Sequence, residues 1–348
     1  MRLDHGGQPF LAIGENIHAT RVLKRAGRHA VELAGGGTGI AFDGPDGRLA
    51  ALPVHPRIAA GRDFGNGRIK HVASAIRWGL DGGPDSALAA AYVQSMAARQ
   101  EAAGADWLDL NVDEIDTEAA VRVEAITWLV GVVESRARIP VAIDSSDVAV
   151  LGAGVAASAR PIGQVLLNSA SIERPEVLDL AASAGCAVIL AAAGRGSMPA
   201  SAEERVANAV PLVEAAIARR IPPERLFIDP LVLPVAVEPA APRHVLEAAR
   251  QLRVQYGRDL HITGGLSNVS FGLPERRLLN DVFIALAADA GIDSGIIDPV
   301  ASDLDRIFAA DREAEPWRLA ADLLADRDPF GAAYVAAFRA GRLGPTEG

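Results

Sequence analysis

The chain has 348 residues, half of them hydrophobic, with one cysteine and a formal net charge of −10, enough apolar material for one large core or two modest ones. The acidic balance and the lack of any Lys/Arg run exclude a nucleic-acid surface. One cysteine rules out an internal disulfide, and seven scattered histidines without HExxH or CxxC spacing give no zinc site, so no metal is expected.

In chain order, Phe10 to Gly14 is a first short apolar strand; Asp4 and His5 before it depart from a signal-peptide pattern. Residues 20 to 85 then interrupt the pattern. They hold GGGTG (35–39), a flexible turn without the lysine and following helix of a phosphate loop, and GIAFDGPDGRLAAL (39–52), which predicts a hairpin. From there helices and strands alternate: helix Ser86 to Ala103, strand Trp107 to Asn111, helix Glu118 to Ser135, strand Val141 to Asp144, helix Asp147 to Ala157, strand Gln164 to Asn168 and helix Pro175 to Ala184. The alternation continues with strand Ala187 to Leu190, helix Ala202 to Arg219, strand Leu226 to Asp229, helix Pro242 to Tyr256, strand Leu260 to Thr263, helix Pro274 to Ala290, strand Ser294 to Ile297 and helix Asp303 to Asp311. One or two further helices follow from Glu315 to about Arg339. Cys186, inside CAVILAAA, reads as a buried structural thiol.

Eight strands alternating with eight helices predict an α/β chain of (β/α)8 TIM-barrel form over residues 1–311, with insertion 20–85 in the first βα loop and a C-terminal helical extension over 312–348. A doubly wound open sheet stays open as the alternative, because alternation does not prove closure. The insertion reads equally as a lid or docking surface over the mouth and as a structural cover. No apolar run reaches the roughly 18 residues of a membrane helix, so a cytoplasmic location is expected, with no membrane or nucleic-acid partner.

Strand after strand ends in an amide or a carboxylate. LDLNVDE (108–114) supplies Asp109, Asn111 and Asp113, VAIDSSD (141–147) Asp144, VLLNSAS (165–171) Asn168, FIDPLVLPV (227–235) Asp229, and IGENIH Glu15 and Asn16. The segment GLSNVSFGLPERRLLN (265–280) places Ser267 and Asn268 where a strand hands over to a helix. Each residue taken singly is a cap or a turn former. Together, Asp144, Asn168, Asp229 and Asn268 point to one shared mouth, because a barrel gathers strand C-termini into a ring. Carboxylates and amides without a cation cluster suit a flat heterocycle with amino, N–H and carbonyl groups. There is no Ser–His–Asp pattern in suitable context, no dinucleotide fingerprint and no phosphate-binding lysine.

These segments resemble the pterin-binding methyltransferases that exchange a methyl group between methyltetrahydrofolate and a corrinoid protein. IGENIH, IDS (143–145), LNSAS (167–171), IDPL (228–231) and GLSNVSFGLPERRLLN stand in family order, from the N-terminus to about Asp298 and interrupted by the insertion. The resemblance implies a barrel, usually a homodimer, that binds the pterin of tetrahydrofolate or 5-methyltetrahydrofolate. It implies that Asp144, Asn168 and Asp229 hold the ring and that Asn268 is catalytic, hydrogen-bonding N5. Asn111 and Arg276 become lesser contacts, and Glu15, Ser267 and Asn280 shape the pocket. Without a DxHxxG corrinoid signature in this chain, the corrinoid is expected on a separate protein. The alternatives are a dihydropteroate synthase-like pterin enzyme, although the two lysines, Lys24 and Lys70, both lie in the insertion, and a non-catalytic pterin-binding barrel.

Overall fold

The short apolar runs are buried on both faces, as strands of a helix-covered parallel sheet must be: Val141, Ala142 and Ile143 are inaccessible, as are Val188, Ile189 and Leu190. The computed structural model describes residues 2–3, 7–44 and 47–344; Asp4, His5 and the Pro45–Asp46 part of the predicted hairpin turn lie outside the described residues. The chain has the (β/α)8 fold. Its barrel strands are β1 (Pro9–His18), β2 (Trp107–Asn111), β3 (Val141–Asp144), β4 (Val165–Ala170), β5 (Ala187–Ala191), β6 (Leu226–Asp229), β7 (His261–Ile262) and β8 (Ser294–Ile297), in sheet order β1 to β7 with β8 paired to β1. The helices between them are α1 (Pro84–Ala102), α2 (Ala119–Glu134), α3 (Val148–Ala157), α4 (Glu176–Ala184), α5 (Ala202–Ala218), α6 (Ala241–Tyr256), α7 (Arg276–Asp289) and α8 (Leu304–Phe308). No helix among the described residues is long and apolar enough to cross a membrane.

The chain divides into two compact units, residues 14–168 and residues 1–13 with 169–348. In the first, β1 runs four residues past the predicted Gly14. Gly14 permits this, since a Cβ there would sit 2.5 Å from Gln100 Oε1, the same oxygen that accepts the Asn16 N–H at 3.0 Å. The polar string Glu15-Asn16 hides a strand that continues to His18. In the insertion the predicted hairpin is present as Thr38–Asp43 paired antiparallel with Leu49–Pro53, and Ala30–Glu32 adds a third strand. Its Phe42 packs edge-on against Tyr92 of α1 at 5.1 Å, so the sheet covers a barrel helix. Sequence reasoning missed the helix His71–Asp81, because His71, Ser74 and Arg77 on its buried face break the apolar spacing. Arg77 is satisfied there by Asp116 at 2.7 Å.

In the second unit, β7 is shorter than predicted: the Asp293 carboxylate takes the Ile262 N–H at 2.9 Å, and only Thr263 separates the strand from Gly264–Gly265. The Ile296 N–H donates to the Gly264 carbonyl at 2.8 Å, which ties β8 to the end of β7. Helix α8 is shorter too, with Asp303 as its N-cap accepting from Asp305 and Arg306. The C-terminal segment forms two helices, Glu315–Leu324 and Ala332–Arg339. Buried Tyr334 anchors the second by donating to the Pro274 carbonyl at 3.1 Å. Cys186 is a buried free thiol, pushed up to about 11 by desolvation.

Candidate active site

In residues 14–168, parallel register places three predicted residues level with one another. Asn111 stands beside Asp144, and Asp144 beside Asn168, at the last positions that β2, β3 and β4 share in register. Asn111 Nδ2 donates to Asp144 Oδ2 at 2.9 Å, while its Oδ1 accepts the Asp113 N–H at 3.0 Å, which fixes the amide orientation. Burial pushes the Asp144 carboxyl up to about 7, helped by the Asp109 charge and opposed by His18 and by the Asn111 hydrogen bond. The Asn168 side chain has no hydrogen-bond partner among the described residues. Glu15 is paired with Arg21 at 2.7 Å.

Two further groups join this cluster and were not in the predicted site. Asp109 is fully buried, and its Oδ2 lies 2.8 Å from His18 Nε2. Desolvation works against the His18 imidazolium, but the hydrogen bond and charge of Asp109, with the charges of Asp144 and Glu15, raise its pKa above the ordinary value. The signal for Asp109 was available: it lies two residues before Asn111 on one strand, hence on the same face. His18 carried no such signal while β1 was read as ending at Gly14. One polar side-chain atom from each of His18, Asp109 and Asp144 lies within 4.8 Å of the others. His18 is hydrogen-bonded to Asp109, and Asp144 to Asn111, so a His18–Asp109 pair stands beside the Asp144 carboxyl.

In the second unit, Asp229 ends β6 and accepts the Leu231 N–H at 2.7 Å. Leu231 adopts φ +64, a left-handed backbone that costs about 1–2 kcal/mol for a non-glycine residue. That turn fixes the carboxylate. Burial pushes Asp229 up to about 6, opposed by the Leu231 N–H and by the charge of Arg205. Beyond β7 the chain makes a 3-10 turn, Leu266–Ser270, whose residues are buried except for half-buried Asn268. The Asn268 side chain has no hydrogen-bond partner among the described residues. Gly265 leaves room for it, since a Cβ there would lie 2.7 Å from Asn268 Nδ2.

Arg276, exposed at the start of α7, is occupied with holding this turn. Its Nε donates to Ser270 Oγ at 3.1 Å and its Nη2 to the Ser267 carbonyl at 3.3 Å, and its guanidinium covers the Phe271 ring at 4.1 Å. Ser267 thus serves through its carbonyl. Asn280 is half-buried one turn further along α7, with its Oδ1 buried and without a partner. In each unit, therefore, a strand ends in a half-buried carboxylate with a raised pKa, and an uncommitted amide is also present. Groups of this kind accept from N–H donors and satisfy a carbonyl or ring nitrogen.

A family profile described as pterin binding enzyme matches residues 84–298. The chain is 30% identical over 263 residues to the methylcorrinoid:tetrahydrofolate methyltransferase of Eubacterium limosum, a match covering 74% of this chain and 90% of that protein. It is 29% identical over 248 residues to the methionine synthase of Mycobacterium tuberculosis, covering 67% of this chain but 20% of that larger protein. Among solved structures, dihydropteroate synthase from Stenotrophomonas maltophilia with imidazole in its active site is 20% identical, with a TM-score of 0.50 over 64% of this chain and 86% of that one. At that identity the likeness concerns the fold alone. Residues Asn111 to Arg276 of the candidate site lie inside the matched span, whereas Glu15 and His18 lie before it.

Proposed function

This chain belongs to the pterin-binding enzyme family, within it to the methyltetrahydrofolate:corrinoid protein methyltransferases, and we propose that it moves a methyl group between N5 of tetrahydrofolate and a corrinoid carried by a separate protein. The proposal takes its substrate pair from the Eubacterium limosum relative, whose name carries both. The observation that carries it is the free Asn268 amide, mounted on a buried turn opposite a glycine that gives it space to move.

In this reading Asp144 and Asp229, as carboxylates, accept from the ring N–H and amino donors of the pterin, and Asn168 donates and accepts beside Asp144. A buried carboxylate left without donors is costly, so a ring lacking those groups is rejected. Asn111 orients Asp144, and Arg276 holds the turn under Asn268. When the methyl group leaves N5, the electron pair of the broken bond stays on nitrogen, which is a poor leaving group unless it bears a proton. The Asn268 amide has no proton to give at neutral pH. Its oxygen accepts the N5–H formed by a proton arriving from water or a carboxylate, and the stabilisation grows as the bond breaks. The corrinoid, as the second substrate, supplies the reduced cobalt that takes the methyl group, or in reverse the methyl group itself.

The dihydropteroate synthase-like reading needs cations for a diphosphate. Lys70 is committed to Glu114 at 2.8 Å and lies 3.5 Å from Asp63, which leaves methyl transfer as the better supported reading. The proposal keeps the domain division at residue 311 and a homodimer, the latter checked by light scattering of the purified chain.

The test mixes purified protein with 5-methyltetrahydrofolate and photoreduced cob(I)alamin under anaerobic conditions and follows the cobalt(I) absorbance. The wild type consumes the band, and Asn268→Ala does so about 100-fold more slowly while still binding folate. Equal rates would remove Asn268 from the chemistry; folate binding without turnover by either protein would favour the non-catalytic barrel.

A further inference from the structure

His18 and Asp109 have no task in the transfer described above, yet they sit against the carboxylate that the reading depends on. The Asp109 side chain is 1% exposed and that of His18 16%. Asp109 Oδ2 meets His18 Nε2 at 2.8 Å, while its Oδ1 is buried without a partner among the described residues. Asp144 completes a group whose atoms lie within 4.8 Å of one another. Two carboxylates this close repel one another, and a cation standing beside them relieves that repulsion.

The groups facing Asp144 identify that cation. From β1 come His18 and Glu15, the latter spent on Arg21, which meets its carboxylate at 2.7 Å and its carbonyl at 3.1 Å. From β2 come Asp109 and the neutral Asn111. From the loop after β2 comes Asp113, which accepts the Ser146 N–H at 2.8 Å. Arg21 is already paired with Glu15, so the imidazolium is left to balance the Asp109 and Asp144 carboxylates.

We propose that His18 is a positioning residue: held against Asp109 as an imidazolium, it favours the ionised form of Asp144 near neutral pH, so that Asp144 presents acceptors to the ring donors of its ligand. The inference rests on the pterin reading of Asp144. Without His18, the charge that opposes protonation of Asp144 is gone and its carboxyl takes up a proton more readily. A protonated Asp144 turns an O–H toward N–H groups, donor against donor, and the ligand loses its partner.

The experiment has two arms. In the first, without folate, histidine side-chain NMR follows His18 in the wild type and in Asp144→Asn. His18 is expected to titrate above its ordinary 6.5 in the wild type and about one pH unit lower in the variant, which has lost one of the two charges holding the proton. A wild-type His18 that titrates below 6.5, or one unmoved by the substitution, overturns the proposal. So does a stoichiometric divalent cation found by elemental analysis with no imidazole titration.

In the second arm, calorimetry measures 5-methyltetrahydrofolate affinity from pH 5.5 to 9 for the wild type and for His18→Gln. The acid-side loss of affinity should move up by about one pH unit in the variant, giving about fivefold weaker binding near pH 7, about tenfold by pH 6, and recovery by pH 9. A deficit equal at every pH would mark a structural role and overturn the proposal. If neither protein binds folate at any pH, the pterin reading fails, while the first arm still decides whether His18 and Asp144 share a proton. Should His18→Gln not fold, His18→Asn takes its place.

Discussion

Replacing Asp229 by Asn separates what the site does for the ligand from what it costs the fold. Burial holds the Asp229 carboxyl near 6 rather than its ordinary 3.8, so at pH 8 its ionised form costs about 3 kcal/mol relative to the unfolded chain. The sign follows from a folded-state pKa that is raised. Below about pH 4 the group is neutral in both states and carries no penalty. As pH rises through 4 to 6, the unfolded chain gives up its proton first and the folded state loses ground. Asparagine is never charged, and its oxygen can still accept the Leu231 N–H that Asp229 accepts at 2.7 Å. Asp229→Asn should therefore melt about 5 °C higher than the wild type at pH 8, with the gap closing by about pH 4. Folate affinity should fall about 10- to 150-fold at pH 8, the worth of one charged hydrogen bond. Differential scanning fluorimetry across pH and calorimetry read the two effects. A stability gain that persists unchanged at pH 4 would refute the electrostatic account, and undiminished folate binding would refute the role of Asp229 as a ring acceptor.

Gly265→Ala puts a methyl group 2.7 Å from Asn268 Nδ2, and a side-chain tip can swing away; the variant should melt within about 2 °C of the wild type yet transfer methyl about tenfold more slowly. Arg276→Met removes the bonds to Ser270 and the Ser267 carbonyl, and turnover assays should show a similar loss of rate with folate affinity down less than about threefold. Wild-type folate affinity, measured by calorimetry, should fall steadily from pH 8 to pH 5, as Asp144, near 7, and Asp229, near 6, take up protons. Tyr334→Phe removes the donor to the Pro274 carbonyl and should cost about 1 kcal/mol in urea unfolding without changing the rate of transfer.

The strands were legible because their physics is local. A strand covered on both faces has to be a short apolar run, and Trp107–Asn111, Val141–Asp144, Leu226–Asp229 and Ser294–Ile297 begin and end where their hydrophobicity does. What stayed hidden depended on a distant partner. Residues Glu15 to His18 continue a strand because Gln100, 84 positions away, takes the Asn16 N–H, and His71–Asp81 is a helix although Arg77 is buried, because Asp116 answers its charge. Neither partner can be read from the local segment.

The same division explains which part of the candidate site showed in the sequence. Asp144, Asn168 and Asp229 stand out because a polar group at the end of an apolar strand opposes folding locally, where composition alone exposes it, and Asn268 stands out in the polar turn that follows β7. Asp144 and Asp229 keep that opposition in the folded chain, as burial raises both pKa values. His18 and Asp109 instead satisfy one another at 2.8 Å; Asp109 showed as a polar residue of its strand, whereas His18, whose partner lies 91 positions away, left little trace in its own neighbourhood. The residues proposed to meet a ligand are thus the ones that composition exposes, whereas His18 appears only once the strands are set side by side.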